Sequence, residues 1–275
     1  MGTIKFSVAI SVYKNDNPVF FDRALASIAI DQTVKPDEIV LVVDGPVSDE
    51  IDAVIEKYKK KTGILKVIRL PENKGLGNAL RLAVNEARYE YIARMDSDDV
   101  SLSDRFETEI QAFMEDKDLD IVGGDISEFI GDEKNIVAKR VVPIKDRDIK
   151  KYMKTRCPLN HVSVMYKKAS VKKSGNYMDL YWNEDYYLWI RMALDGAKMA
   201  NTGKIAVNVR TGEDMYKRRG GMKYFKSELF LQKLMLKNRM INLSTFLFNV
   251  IKRFVFQIVL PSSIRGWVFR TLARQ

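Results

Sequence analysis

The chain has 275 residues, 46% of them hydrophobic and 30% charged, with a formal net charge of +10. These proportions exclude a disordered or fibrous chain, and the length suits one large domain or a domain with an appendage. One cysteine, Cys157, excludes an internal disulfide and fits a reducing compartment.

The opening Met1-Gly2-Thr3-Ile4-Lys5-Phe6 lacks the basic and long apolar regions of a signal peptide. No uninterrupted apolar run of about 18 residues is present, so a cytoplasmic chain without a spanning helix is expected. The charge is unevenly spread. Residues 216–275 hold 13 Lys and Arg against one acid, Glu228, a net +12 that leaves −2 for residues 1–215. A near-neutral domain, residues 1–220, is therefore expected to precede a basic helical tail, residues 221–275, with the turn Arg218-Arg219-Gly220-Gly221 at the boundary.

In chain order, Phe6–Tyr13 is apolar and β-branched and reads as a strand, and Pro18–Ile30 as a helix. Glu38–Asp44 is a buried strand, Ser48–Thr62 a helix, Leu65–Leu70 a strand and Gly75–Ala87 a helix. Tyr91–Met95 is a strand, Leu102–Asp116 a helix, and Asp120–Ile130 opens with another apolar run. Strands alternating with helices, and apolar on both faces, predict an α/β fold with a mainly parallel sheet covered by helices on both faces. Beyond Gly131 the pattern loosens: His161–Tyr166 is a strand, Glu184–Asp195 a helix, and Ala197–Thr202 and Ile205–Thr211 are short strands.

Four successive strands end in polar, turn-forming residues: Ser11 to Asp16, Asp44-Gly45-Pro46, Glu72 to Gly77, and Asp96-Ser97-Asp98-Asp99. In an open α/β sheet these turns share the carboxyl edge, where ligands bind. Each turn alone is ordinary; their convergence is not. Three carboxylates within Asp96–Asp99 repel one another unless a cation or donors share the site. A divalent cation with a bound diphosphate satisfies them, because magnesium-type ions take a few carboxylates and phosphate oxygens. This points to an enzyme of nucleotide-activated substrates.

The ordered elements Ser7–Asn15, Asp44-Gly45, Asn73-Lys74-Gly75, Asp96-Ser97-Asp98-Asp99, Asn160 to Met165 and Trp182-Asn183-Glu184-Asp185 resemble the family 2 inverting glycosyltransferases of GT-A fold, of the bacterial polysaccharide-biosynthesis type. The resemblance runs from about Lys5 to Thr211 and departs at Val43, an apolar residue where many members carry the first of two acids. It implies that Ser11, Tyr13 and Asp44 contact the nucleotide base, Tyr13 by stacking, while Lys74 and Gly75 border the pocket. Asp96 would lie near ribose and metal, and Asp98 would ligate Mn²⁺ or Mg²⁺. Asp99 reads as a helix-start residue.

An inverting transfer needs a carboxylate to take the acceptor's proton. The resemblance places that base at Asp185, with Glu184 on acceptor or sugar; on the residues alone, helix capping by favourable first-turn charge is the preferred reading. Trp182 and His161, the single histidine, are candidate walls of the sugar site. Arg218 and Arg219 are candidates for closing over the diphosphate through bidentate contacts.

In the tail, Phe246–Leu260 is apolar except for Asn249, Lys252, Arg253 and Gln257. Ile264–Ala273 sets Trp267, Val268 and Phe269 among Arg265 and Arg270, with Arg274 just beyond. Basic charge beside aromatic bulk favours an anionic membrane surface; packing on the domain or in a homodimer through the C-terminal helices is the rival, and nucleic acid is not expected. The reading that results is a metal-dependent inverting glycosyltransferase, peripheral on the inner face of the cell membrane. It moves a sugar from a nucleoside diphosphate donor, UDP-linked, to a lipid-linked or saccharide acceptor of surface polysaccharide synthesis. Sugar-nucleotide nucleotidyltransferase and non-catalytic saccharide-binding scaffold are the alternatives. The first wants a glycine-rich basic loop after the first strand, where this chain has Tyr13-Lys14-Asn15. A dinucleotide-dependent oxidoreductase would need Gly-x-Gly-x-x-Gly there, and Gly75-Leu76-Gly77 follows the third strand instead.

Overall fold

A computed structural model describes residues 4–212 and 221–260. Nine strands form one sheet in the order β3-β2-β1-β4-β8-β6-β9-β5, with β7 pairing the free end of β6. The strands are β1 (Phe6–Val12), β2 (Glu38–Val43), β3 (Leu65–Arg69), β4 (Tyr91–Met95), β5 (Val100–Ser101), β6 (Ile121–Phe129), β7 (Ile136–Arg140), β8 (Met165–Lys167) and β9 (Met199–Arg210). The first four are parallel to one another. β8 runs antiparallel to β4 and β6, and β9 is parallel to β6.

Alternation along β1 explains the two layers. Phe6, Val8, Ile10 and Val12 pack with Phe21, Leu25 and Ile28 of α1 (Pro18–Ala29), with Ile51 and Ile55 of α2 (Asp49–Thr62), and with Phe106 and Phe113 of α4 (Arg105–Glu115). Ala9 faces the other side, beneath Leu80 and Val84 of α3 (Leu76–Glu86). That second layer also takes Ile149 and Met153 of α5 (Asp146–Met153), Leu188 and Trp189 of α7 (Glu184–Leu194), and Leu231 and Met235 of α8 (Met222–Lys237). Burying each such side chain contributes about 1.5–3 kcal/mol. α6 (Lys168–Lys173) follows β8, and α9 (Leu243–Phe254) continues into a π-helical turn, Val255–Val259.

Several expectations are corrected. The helix expected from Leu102 starts at Arg105, so Asp99 does not open it; Asp99 precedes β5 instead. His161–Ser163 is a 3-10 turn, and the strand is Met165–Lys167. The two short strands expected at Ala197–Thr202 and Ile205–Thr211 are one strand, β9, whose register on β6 shifts where Gly203 adopts φ +70°. The boundary turn with Arg218 and Arg219, and the piece from Ile264, lie outside the described residues.

Candidate active site

The four polar strand ends are tied in two pairs by side-chain hydrogen bonds, β2 to β3 and β1 to β4. At the end of β2, Asp44 is buried, and its two carboxylate oxygens accept the backbone N–H groups of Lys74 (2.7 Å) and Gly75 (2.9 Å). Asn73 donates to the Asp44 carbonyl at 3.2 Å. Gly45 allows the approach: its φ is +88°, and a Cβ there would lie 2.7 Å from the Asn73 nitrogen. Asp44 thus moulds the turn that begins α3. A carboxylate oxygen has lone pairs to spare, so this duty leaves room for a base contact. Ser11 is partly buried at the end of β1, and Tyr13 and Lys74 are exposed at the rim.

Asp16 was missed by sequence reasoning, where it read as a turn residue. Its carboxylate accepts from Tyr13 N–H (3.0 Å) and from the Ser97 hydroxyl (2.9 Å), which joins the β1 loop to the acid motif after β4. Burial and, to a smaller degree, the Asp96 charge push its carboxyl up.

The acid motif divides its labour. Arg94, fully buried within β4, grips both carboxylate oxygens of Asp96 through its two terminal nitrogens. This bidentate pairing is the strongest form of the contact. Asp99 is buried and accepts the backbone N–H of Arg210 at 2.8 Å, pinning β9. Arg210 also donates to the Asp98 carbonyl at 3.2 Å and stacks its guanidinium 3.7 Å from the Phe20 ring centroid. Asp98 is the exposed member. Although solvent reaches it, the cleft wall desolvates its carboxyl and pushes it up to about 6, with the charges of Asp96 and Asp16 adding. The cluster is short of positive charge in just the place Asp98 occupies.

That shortage is what a divalent cation would relieve, and hard carboxylate oxygens suit Mg²⁺ or Mn²⁺. Among the described residues no three Asp, Glu, His or Cys side chains form a closed ligand cage. A magnesium-type ion needs no cage, since one or two carboxylates with substrate phosphates suffice. The residues fit, with Asp98 open to the ion and Asp96 held beside it by Arg94.

The second half of the site is the first turn of α7. Glu184 and Asp185 are partly buried there. The capping residue Asn183 turns its amide away from its own helix to donate to Ser227 of α8 at 2.7 Å. Asp185 accepts from Tyr186 N–H at 2.6 Å, and the Cys157 thiol points at its other oxygen from 3.8 Å. Burial and the Asp185 charge keep that thiol protonated. Glu184 is pushed up to about 7, first by burial and then by Asp185; it also feels Arg94 and Asp96, the charges of the other half-site. Gly77 in α3 lies against this turn: a Cβ there would stand 3.5 Å from the Glu184 Cβ, in ordinary contact.

Trp182 sits on the turn before α7, half exposed, at φ +56°. A bulky residue held in the left-handed region marks a turn fixed by its surroundings. His161 is partly buried; its Nε2 lies 3.0 Å from the Tyr177 hydroxyl, and its ring contacts Tyr177 and Trp189. Burial and Arg94 drive its imidazole well below its ordinary range, so it is neutral and not a general acid.

Residues 7–174 match the domain described as Glycosyl transferase family 2. The chain belongs to that family. A Haemophilus influenzae uncharacterized glycosyltransferase is 38% identical over 272 residues, covering 99% of this chain and 100% of the relative. The Escherichia coli UDP-Gal:alpha-D-GlcNAc-diphosphoundecaprenol beta-1,3-galactosyltransferase is 35% identical over 275 residues, covering 99% and 98%. Among solved structures, S. aureus TarS 1-349 in complex with UDP-GlcNAc superposes with a TM-score of 0.68 at 20% identity, over 95% of this chain and 76% of that one. The mannosyltransferase PcManGT from Pyrobaculum calidifontis, in complex with GDP-Man and Mn²⁺, gives 0.63 at 13% identity, over 97% and 75%. These glycosyltransferases share the GT-A fold with this one, a mostly parallel sheet with helices on both faces.

Proposed function

We propose that this glycosyltransferase is an inverting, metal-dependent enzyme that takes its sugar from a UDP-linked donor. The acceptor we assign is a lipid-linked or growing saccharide of bacterial surface polysaccharide synthesis, met at the inner face of the membrane. The observation that carries the reading is the separation of two acidic stations: Asp98 at a sheet edge, and Glu184-Asp185 on a helix that approaches it. An inverting displacement needs carboxylates on opposite sides of the sugar. The UDP-Gal relative and the UDP-GlcNAc complex support the donor class, and the diphosphoundecaprenol relative supports the acceptor class.

Asp185 takes the proton as the acceptor hydroxyl oxygen attacks the anomeric carbon. The new C–O bond forms as the bond to the diphosphate breaks, and the nucleoside diphosphate leaves. A divalent cation held at Asp98, with Asp96 adjacent, would supply charge stabilisation to that leaving group. Glu184, its carboxyl pushed up to about 7 by burial and Asp185, is partly protonated near neutral pH, and the protonated form can donate a hydrogen bond to sugar or acceptor. Asp44 shapes the Lys74-Gly75 turn around the nucleotide, with Ser11 and Tyr13 at the base. Arg218 and Arg219, outside the described residues, are assigned to the diphosphate by sequence alone.

The test is hydrolysis or transfer from a panel of sugar nucleotides with Mn²⁺ and with EDTA. UDP-sugar turnover dependent on Mn²⁺ is expected. Equal turnover in EDTA would refute the metal role, and turnover confined to GDP-linked donors would refute the donor class.

A further inference from the structure

Helix α9 is mounted inside out. Its polar stripe faces the protein: Asn249 is buried and donates to the Lys154 carbonyl and to Gln232 Oε1, both at 2.9 Å. One turn on, Arg253 pairs with Glu228 and donates to the Thr155 carbonyl at 2.9 Å. The apolar stripe points outward. Leu243, Leu247, Phe248, Ile251 and Phe254 are 43–64% exposed, and Val255 and Val259 continue the face. At 100° per residue the first five span an arc of about 140°. At its edge Phe254 meets the Phe225 ring, centroids 5.6 Å apart, and the rest of the face stays open.

The charge of the two C-terminal helices is one-sided. Residues 221–260 carry seven Lys and Arg against the single acid Glu228, which Arg253 already occupies. Lys223, Lys226, Lys233, Lys237, Arg239 and Lys252 are exposed. Arg265, Arg270 and Arg274 follow in the sequence, with Trp267 and Phe269 between. A second copy of this chain would bring equal positive charge against the patch, whereas an anionic bilayer brings the opposite charge and a place for the phenylalanines.

We propose that the outward face of α9 lies in the interface of an anionic lipid bilayer and sets the height of the active site above it. The polar stripe makes the dock rigid. Its anchors, Lys154 and Thr155, follow directly on α5, whose Met153 carbonyl accepts from the Tyr186 hydroxyl in α7. Two residues further on, Cys157 meets Asp185. On the neighbouring helix, Ser227 receives Asn183, the residue before Glu184-Asp185. Docked membrane and catalytic turn are thus joined through two short covalent and hydrogen-bonded paths. The docking claim stands on the exposed face and the charge; only its consequence for the acceptor rests on the base assignment above.

The full chain is tested by co-sedimentation with vesicles of phosphatidylcholine alone and of phosphatidylcholine mixed with phosphatidylglycerol. Wild type is expected to bind the mixed vesicles and to be released by salt. The exposed-face variant L247S/F248S/I251S should bind at least about tenfold more weakly, with unchanged thermal midpoint and unchanged donor turnover in solution. Equal binding by that variant would overturn the proposal. So would a wild type that ignores anionic vesicles, including one that forms a dimer which the variant breaks, since a second copy would then own the face. Asp185→Asn is the separating control: it should bind vesicles like wild type without transferring sugar. If docking fails while soluble acceptors are still glycosylated, the inference falls and the functional reading survives; the reverse result sinks only the latter.

Discussion

The acid motif after β4 and the first turn of α7 both present adjacent carboxylates, yet they are built in different ways. Around the motif, Asp96 is clamped by Arg94, Asp99 is spent on Arg210, and Asp16 holds Ser97. Three of four acids are structural, and one, Asp98, is left open. In α7 the supports come from outside the sheet, from Ser227 of α8 and the segment before Cys157. The Asp98 half is set by the sheet, and the Glu184-Asp185 half by α8 and the segment that ends at Cys157. A perturbation of one half should therefore leave the other intact.

The largest expected effect is on chemistry alone. Asp185→Asn should lower transfer by about 10²–10⁴-fold, the usual worth of a general base, while UDP binding in Mn²⁺ stays within twofold of wild type, roughly what an uncharged isostere away from the nucleotide allows. Asp98→Asn should do the opposite, abolishing the Mn²⁺ dependence of UDP binding measured by calorimetry. Arg94→Met is expected to cost about 2–4 kcal/mol in denaturant unfolding, somewhat below the roughly 3–5 kcal/mol for breaking a fully buried pair, because Asp96 is partly open to water.

A smaller, pH-dependent effect separates Glu184 from its neighbour. Its ordinary carboxyl value is 4.5, and the fold raises it to about 7. The folded chain then holds a proton that the unfolded chain releases, so this group's contribution to stability falls as pH rises through that window. Glu184→Gln should gain in thermal midpoint over wild type between about pH 4.5 and 7 and keep a constant advantage above. A midpoint difference that shrinks with rising pH would contradict the assignment. The smallest effect is expected from Ser227→Ala, about 1 kcal/mol for one hydrogen bond. It should lower kcat a few-fold with little change in donor KM, because it loosens only the α7 half.

The donor edge was legible in the sequence because its residues punctuate long apolar runs: Asp44, Lys74-Gly75 and Asp96–Asp99 each stand where a buried strand stops. Arg94 was not, since it lies inside such a run and its partner could be found only by placing it beneath Asp96. Asp16 was hidden for a related reason; its work is done on a loop 81 residues away. α5 was overlooked because only Ile149 and Met153 of its eight residues are buried, too few to show a period. The few polar residues of Phe246–Leu260 were legible in the sequence, but a helical wheel does not say which stripe meets the protein. Apolar faces usually turn inward; here the Lys154 and Thr155 carbonyls and Glu228 claim the polar one.

The central claim is the division of the site into a metal station at Asp98 and a base at Asp185. Calorimetric titration of UDP with and without Mn²⁺ into Asp98→Asn and Asp185→Asn, side by side, tests it most directly. The account predicts Mn²⁺-dependent binding in Asp185→Asn and none in Asp98→Asn. Loss of that binding in Asp185→Asn, or its retention in Asp98→Asn, would contradict it.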